Sequence, residues 1–141
     1  MKKENDLYAI YCSIDSGLQK KWKKSDFISL ISNESTIFIY SKPKPLGCLM
    51  ARILKDEMEI IFLLINKNHR RKGLGRDLLK DLYIIALANK ITQIVLEVAI
   101  TNHAAESLYK SFNFKEVGIR KNYYSRKNKK IDAKVMQLTI I

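Results

Sequence analysis

A basic segment that contains glycine, residues 68–76, is the part of this sequence whose residue types point most directly to chemistry. It reads Asn-His-Arg-Arg-Lys-Gly-Leu-Gly-Arg and holds two of the chain's five glycines, Gly73 and Gly75. Glycine lets backbone N–H groups approach an anion closely, and a helix beginning here would add unpaired N–H donors and the positive end of its dipole. The segment therefore predicts a cradle for a diphosphate.

The segments on either side can hold this loop in that role. Residues 59–65 before it, apolar from residue 60 onward, predict a strand that is buried on both faces and therefore central in a sheet. Residues 74–88 after it place apolar side chains at helical spacing, and residues 92–98 predict a second buried strand. Two strands joined through a helix run parallel with a right-handed crossover. The loop thus belongs to one βαβ unit.

The rest of the chain predicts a sheet built around that unit. Four more segments have strand-like composition or alternation, and Gly47 in the second of them suggests a bulge: residues 36–40, 46–54, 114–121 and 134–140. We expect an α/β fold with a mixed sheet of six to seven mostly antiparallel strands, a central parallel βαβ unit and about four helices. Residues 1–141 are expected to form one domain.

Helix ends can be assigned from capping residues. Residues 8–22 are interpreted as a strand end that passes into a helix, and Ser25 as the N-cap of a short helix after it. Thr101 or Asn102 is expected to cap a helix over residues 104–112.

Composition and charge limit the class of protein. Among the 141 residues, 47% are hydrophobic and 28% are charged, as in soluble globular proteins. No apolar run approaches the roughly 20 residues of a membrane span, and the N-terminus lacks a signal-peptide pattern. Cys12 and Cys48 form no disulfide framework, and His69 and His103 lack partners at metal spacing. We expect a cytoplasmic protein with reduced thiols, no metal, and a monomeric or weakly dimeric state.

The net charge of +12 is concentrated in three basic clusters, at residues 20–24, 67–72 and 120–130. Such clusters attract nucleic acid, ribosomes or a phosphate-rich cofactor. The first and third are equally well explained by a chain that is rich in lysine throughout. The middle cluster adjoins the glycines, so it is the one that carries a functional argument. Direct nucleic-acid binding is possible but is not expected to be the function.

Three kinds of phosphate-binding glycine loop are candidates for this segment. A Walker A loop has no match in this sequence. A dinucleotide loop, Gly-x-Gly-x-x-Gly, matches at Gly73 and Gly75, but Leu78 stands at its third position and only one βαβ unit is present. The pattern Arg/Gln-x-x-Gly-x-Gly/Ala fits residues 70–75 at every position.

With this loop the chain resembles the GNAT superfamily of acetyl-CoA-dependent N-acetyltransferases, and in particular its bacterial ribosomal-protein-alanine branch. The order and spacing of five downstream motifs match that branch: Leu96-Glu97-Val98, Thr101-Asn102-His103-Ala104-Ala105, Leu108-Tyr109, Phe112-Asn113-Phe114 and Asn122-Tyr123-Tyr124. The resemblance covers roughly residues 59–141. Before these residues it is limited to Trp22 and Phe27, which are similar to a short Trp-x4-Phe element of the branch.

Three positions depart from the branch's pattern. Phe62 stands where an asparagine is usual, Ala99 where an arginine is common, and Asn113 where a glycine is usual. Asparagine tolerates left-handed backbone angles, so the change at Asn113 is mild. The changes at Phe62 and Ala99 bear on how a peptide lies in its groove, and so on substrate identity more than on reaction type.

The resemblance implies a set of site residues. Glu97 corresponds to the proton acceptor and Tyr109 to the proton donor, while Tyr123 and Tyr124 correspond to the peptide groove. Residues expected to bind acetyl-CoA, the cosubstrate, through main-chain groups, charge or a side-chain amide are Leu63, Leu64, Ile65, Arg70, Arg71, Lys72, Gly73, Leu74, Gly75, Arg76 and Asn102. Purely structural roles stay open: an ion pair for Glu97, core packing for Tyr109, Tyr123 and Tyr124, and a helix cap for Asn102.

The implied reaction is attack of a neutral amine on an acetyl thioester with expulsion of a thiolate. At pH 7 roughly a tenth of N-terminal α-amines are neutral, against about one lysine in a few thousand. An α-amine therefore needs only modest help from Glu97. A tyrosine, with a pKa of about 10, stays protonated at neutral pH and can hydrogen-bond or protonate a departing thiolate whose thiol pKa is about 8.5.

Four interpretations of function remain. The preferred one is acetylation of a protein's N-terminal α-amine, the substrate resembling the N-terminal alanine of a ribosomal protein. Acetylation of another amine, such as lysine, a polyamine or an antibiotic, is the nearest alternative. A non-catalytic ribosome- or RNA-binding module would explain the charge but not the series Glu97, Asn102 and Tyr109. A catalytically inactive acetyl-CoA sensor is a further alternative.

Overall fold

The computed structural model of the chain describes residues 2–17, 21–126 and 128–140. Lys20 and Lys127, which belong to two of the basic clusters, lie outside these residues. The described helices and strands, with one 3-10 turn, are α1 Lys2–Ser13, α2 Lys24–Ile31, β1 Thr36–Tyr40, β2 Gly47–Leu54, β3 Glu57–Ile65, the 3-10 turn Lys67–His69, α3 Leu74–Ala88, β4 Gln93–Ala99, α4 His103–Ser111, β5 Lys115–Arg126 and β6 Lys129–Thr139.

The strands form one six-stranded sheet in the order β1-β2-β3-β4-β6-β5. Only β3 and β4 run parallel, and α3 connects them, while every other neighbouring pair is antiparallel. The predicted mixed α/β sheet with a central βαβ unit is therefore confirmed, and so is the helix over residues 74–88. None of the helices described is long and apolar enough to cross a membrane.

The N-terminal expectations were wrong in detail. Residues 8–13 belong to helix α1 rather than to a strand end, because Tyr11 and Ile14, three residues apart, are both buried against the sheet. Helix α2 begins at Lys24 after Lys23, so Ser25 lies inside its first turn and does not cap it. Gly47 makes no bulge. A Cβ at Gly47 would lie 2.7 Å from Cδ1 of Ile65, so its lack of a side chain permits close strand packing.

The bulge lies instead in β3. Met50 of β2 is opposite Phe62 and Ala51 is opposite Ile60, which leaves Ile61 as an extra residue. A bulge bends its strand and increases the local twist. The residues of β3 that pair with β4 are Glu57–Glu59, immediately before the bulge. The C-terminal halves of β3 and β4 therefore separate, and residues 60–65 and 96–99 face one another without sharing a ladder.

The two faces of the sheet carry different helices. Helices α3 and α4 cover one face, with Leu78, Leu82, Ile94, Leu96 and Met136 among the buried side chains. Helices α1 and α2 cover the other face only over β1–β3, and the buried cluster there contains no described residue of β4, β5 or β6. Side chains alternate along a strand, so Leu96 and Val98 face α3 and α4 whereas Glu97, between them, faces the other side.

Candidate active site

The glycine loop leaves a helix N-terminus without a side-chain cap. Arg71 and Gly73 have positive φ angles of 62° and 83°, and Gly73 is the N-cap of α3 without a side-chain hydrogen bond. The Asp77 N–H donates to the Gly73 carbonyl at 3.0 Å, so the N–H groups of residues 74–76 precede the first helical hydrogen bond. Together with the helix dipole they form a site suited to an anion.

The two glycines of the loop serve different purposes. A Cβ at Gly73 would meet nothing within 4 Å, so its positive φ is what favours glycine there. A Cβ at Gly75 would lie 2.8 Å from Cδ2 of Leu108. Gly75 therefore lets the start of α3 approach α4 closely. This contact closes one wall of a cavity between the two helices and the end of β3.

This cavity has a volume of about 670 Å³. Ten of the residues predicted to bind the cofactor and one predicted catalytic residue line it: Leu63, Leu64, Ile65, Arg70, Arg71, Gly73, Leu74, Gly75, Arg76, Asn102 and Tyr109. Lys72 is exposed and is not among the lining residues. The lining residues that sequence analysis missed are Ser16, His69, His103, Ala104, Ala105, Ser107 and Leu108.

The loop after α1 is bound to the connection between β3 and α3. The Arg70 guanidinium donates through Nη2 to the Ser16 carbonyl. Lys67 donates its N–H to the Asp15 carbonyl at 2.7 Å, and its Nζ lies 3.2 Å from the Asp15 carboxylate. Arg70, predicted to add charge for a pyrophosphate, thus borders the cavity while holding this loop. Ser16 and Arg70 are 54 positions apart in the sequence, which explains why no local pattern predicted the contact.

Asn102 and Tyr109 both lie on or next to α4. The Asn102 side-chain oxygen accepts from the Ala105 N–H at 3.2 Å, so Asn102 is the helix cap and a cavity residue at once. Tyr109 is 6% exposed and packs edge-to-face against Phe114 with ring centroids 5.6 Å apart. Burial, with a smaller contribution from Tyr124, raises the pKa of the Tyr109 hydroxyl above its usual 10.0. This hydroxyl is therefore protonated at neutral pH.

Glu97 lies on the opposite face of β4 and does not line the cavity. Its Oε1 accepts from Arg120 Nη1 at 3.0 Å, whereas its buried Oε2 has no hydrogen-bond partner within the described residues. The pKa of the Tyr123 hydroxyl is raised, first by hydrogen bonding to Glu97 and then by burial. The Tyr124 hydroxyl donates to the Glu97 backbone carbonyl at 3.2 Å. The predicted site residues Glu97, Tyr123 and Tyr124 therefore lie together. Arg120 belongs to the same group and was not predicted from the sequence.

The departures from the expected pattern lie in two different places. Phe62 packs against Tyr11 and Trp22, with ring centroids 5.2 and 5.9 Å apart, so it belongs to the cluster under α1. Ala99 is 3% exposed and lies opposite Ala133 of β6. Asn113 has a positive φ of 75°, in agreement with the left-handed conformation expected there. Within the part of the chain that the structure describes, no group of three or more His, Cys, Asp or Glu side chains could hold a metal ion.

Taken together, the site consists of two halves on opposite faces of the sheet, at the place where β3 and β4 separate. A protonated tyrosine borders a cavity with an anion site at its mouth, and a carboxylate with one unpaired oxygen lies on the other face. Tyr124 connects the halves, because it hydrogen-bonds to the backbone of Glu97 and its charge contributes to the raised pKa of Tyr109. The arrangement can place a proton acceptor and a proton donor on either side of a molecule held in the cleft.

Comparison with known proteins shows the family to which the sequence is related. A sequence model of the acetyltransferase (GNAT) family matches residues 5–114. The [ribosomal protein bS18]-alanine N-acetyltransferase of Escherichia coli is 34% identical over 91 residues, which are 64% of this chain and 62% of that protein. The putative enzyme of the same name from Bacillus subtilis is 34% identical over 88 residues, or 62% of this chain and 57% of that protein. The matched region thus spans about three fifths of these relatives.

Solved structures extend the match over nearly the whole chain. The crystal structure of the Escherichia coli ribosomal-protein-S18-alanine N-acetyltransferase superposes with a TM-score of 0.86 at 29% identity, covering 96% of this chain and 88% of that one. Arabidopsis thaliana NAA60, solved in complex with acetyl-CoA, superposes with a TM-score of 0.78 at 16% identity over 97% of this chain and 93% of that one. The second likeness is one of fold.

Proposed function

We propose that this chain, which belongs to the acetyltransferase (GNAT) family, transfers the acetyl group of acetyl-CoA to the N-terminal α-amine of a protein. The substrate we favour is the N-terminal alanine of a ribosomal protein. The observation that carries the proposal is the division of the site: the cavity and Tyr109 lie on one face of β4, and Glu97 lies on the other. Donor and acceptor molecules can thus approach one another from opposite faces.

The cavity residues fit acetyl-CoA. Main-chain groups of residues 63–65 lie on a strand edge that β4 leaves free, and can hydrogen-bond the amides of a pantetheine arm. The N–H groups at the start of α3 and the charge of Arg71 suit the pyrophosphate. Once bound, acetyl-CoA supplies the thioester from which an acetyl group is transferred. Each of these assignments is part of the proposal.

Glu97 accepts a proton from the amine in this proposal. Its Oε2 is buried and unpaired within the described residues, so an incoming N–H group is a hydrogen-bond partner that the oxygen lacks. Tyr109 donates from the cavity side. Because burial disfavours the tyrosinate, its hydroxyl keeps its proton at neutral pH and can hydrogen-bond the departing sulfur.

The acceptor peptide is placed on the face that α1 and α2 leave open. Tyr123, a residue that is 45% exposed, and Arg120 border Glu97 on this face. The names of the relatives at 34% identity favour a ribosomal-protein alanine. An α-amine is also the easier acceptor, since with a pKa of about 8 it is far more often neutral at pH 7 than a lysine side chain.

A peptide panel tests the proposal. Peptides beginning with Ala, Ser, Gly or Met, and an N-terminally blocked peptide containing one lysine, are incubated with acetyl-CoA, and products are located by mass spectrometry. We expect acetylation at the α-amine, with the highest kcat/KM for Ala. The matched control is the Ala peptide with a blocked N-terminus and no lysine, which should stay unmodified.

Three outcomes would contradict the proposal, and each points to a different alternative. Activity confined to the lysine peptide would indicate a GNAT enzyme for another amine. Binding of acetyl-CoA without turnover of any amine would indicate a sensor. RNA binding that weakens steeply with salt, without acetyl-CoA binding, would indicate the non-catalytic module.

A further inference from the structure

The two oxygens of the Glu97 carboxylate are in different environments. Oε1 accepts from Arg120 Nη1 at 3.0 Å, and Oε2 is buried without a partner in the described part of the chain. The Glu97 side chain is 17% exposed and that of Arg120 is 56% exposed. Oε1 is therefore held by a cation, and Oε2 can still accept a hydrogen bond. The Tyr123 hydroxyl is the other titratable group that interacts with this carboxylate.

Arg120 is itself held in place by an aromatic ring. Its guanidinium carbon lies 4.3 Å from the centre of the Tyr123 ring, in cation–π geometry. Tyr123 packs edge-to-face on Tyr124, with ring centroids 4.9 Å apart, and Tyr124 hydrogen-bonds to the Glu97 backbone. Because the Tyr123 ring already restricts the guanidinium, little further conformational freedom is lost when Arg120 holds the Glu97 carboxylate in one orientation.

Other charged groups around this pair are already matched. Glu59 of β3, whose charge acts on Tyr123, is paired with Arg52 of β2 at 2.9 Å. On β6, Asp132 accepts from the Asn122 N–H at 2.8 Å, and Lys134 is bound to Glu106 under α4. Among the residues described, Arg120 is the cation in contact with the Glu97 carboxylate. Removing its charge would leave an unbalanced negative charge where an amine must arrive.

We infer that Arg120 is a positioning residue for acetyl transfer: it fixes the Glu97 carboxylate through Oε1, presents Oε2 to the amine, and prevents Glu97 from trapping the amine as an ammonium ion. The inference rests on the proposed function. An ammonium ion has no lone pair with which to attack a thioester. An unpaired carboxylate within about 4–6 Å favours the charged form of a neighbouring base by about one to three pH units, and a carboxylate paired with Arg120 does so much less.

Loss of Arg120 therefore has a distinctive kinetic signature. In Arg120→Met the bound substrate stays protonated to higher pH, so the midpoint of the rising limb of kcat against pH should move up by about one unit or more. At pH 7 kcat should fall about tenfold or more, whereas KM for the peptide should fall or stay unchanged because the ammonium form binds well. At high pH the activities of variant and wild type should converge.

Two further variants separate this role from a general structural one. Arg120→Lys keeps the charge, so the midpoint of its pH profile should lie between those of wild type and Arg120→Met. Lys121→Met removes a neighbouring exposed cation that is not the ion-pair partner of Glu97, and should leave the profile unchanged. The acetyl-CoA affinity of all three variants should match wild type, because neither Arg120 nor Lys121 lines the cavity.

The test measures kcat and KM from pH 6 to 10, with whichever amine the wild type acetylates. An unchanged midpoint in Arg120→Met would overturn the inference, and so would a raised KM with unchanged kcat, which would show that Arg120 binds the peptide directly. A uniform loss of kcat at every pH would also overturn it. Failure of the proposed function is a separate result, since it appears as a wild-type enzyme that acetylates no N-terminal amine.

Discussion

Replacement of Tyr109 by phenylalanine tests the donor half of the site with little change in packing. The variant lacks only the hydroxyl oxygen, and its ring can keep the edge-to-face contact with Phe114 at 5.6 Å. The residue is 6% exposed and belongs to the main hydrophobic core. The folded structure should therefore persist, and the loss should be confined to the hydrogen bond that the hydroxyl gives to the departing sulfur.

The size of the effect follows from the burial of that hydroxyl. A hydrogen bond to a charged group contributes about 1.5–3 kcal/mol, and each 1.36 kcal/mol is about tenfold in rate. Tyr109→Phe should thus lower kcat by roughly 10- to 150-fold. The raised pKa of Tyr109 keeps the proton available across the neutral range, so the loss should be similar at pH 7 and pH 8. The affinity for acetyl-CoA should change little, since the sulfur carries no charge before reaction.

The rate of free thiol release, followed with a thiol-reactive dye, gives kcat, and calorimetry gives the acetyl-CoA dissociation constant. Tyr83→Phe is the matched control: Tyr83 is on α3, contacts Phe112 with ring centroids 6.3 Å apart, and does not line the cavity. Its kcat should equal that of wild type. If Tyr109→Phe retained kcat within twofold while folding and binding normally, Tyr109 would be a core residue without a part in the reaction.

Two further substitutions concern carboxylates. Glu97→Gln keeps an oxygen for Arg120 but cannot accept a proton, so kcat/KM should fall by about 10²–10⁴, and less above pH 8, where the amine is mostly neutral; an unchanged rate would exclude Glu97 as the base. Lys110 and Lys134, at 2.7 and 2.8 Å, lower the pKa of Glu106 from 4.5 to about 2. Because the folded-state pKa is depressed, this stabilisation is complete above pH 4.5 and is lost as pH falls toward 2. The free energy of urea unfolding of Glu106→Gln should depend less on pH in that window than that of wild type. The same pH dependence in both proteins would contradict a lowered pKa for Glu106.

Short sequence patterns correctly predicted one helix and one helix cap. Helix α3 was predicted over residues 74–88 because its apolar residues repeat at helical spacing. Asn102 was one of two predicted caps because asparagine favours that position, and its side chain accepts from the Ala105 N–H. The start of the chain was misread. Residues 2–13 are only weakly amphipathic, and the burial of Tyr11 and of Ile14, just after the helix, depends on packing against distant strands.

The contacts that complete the site could not be read locally. Arg120 reaches Glu97 across twenty-three residues, and the pairing depends on β6 lying between β4 and β5. Nothing in the lysine-rich segment around Arg120 distinguishes it from its neighbours. Its function depends on a register that is set by the whole sheet.

The bulge at Ile61 shapes the site in two ways. Before the bulge, Met58 and Ile60 face α3 and α4. If side chains alternated strictly along β3, Leu64 would face these helices too. Instead Leu63 and Ile65 face them, and Leu64 lies on the opposite side. The extra residue thus changes which side chains of β3 face the cavity. It also bends β3 immediately after its last pairing with β4, which frees the edges that line the cleft. Neither glycine nor proline marks Ile61, so the cleft arises from a one-residue mismatch with β2 that only the paired strands reveal.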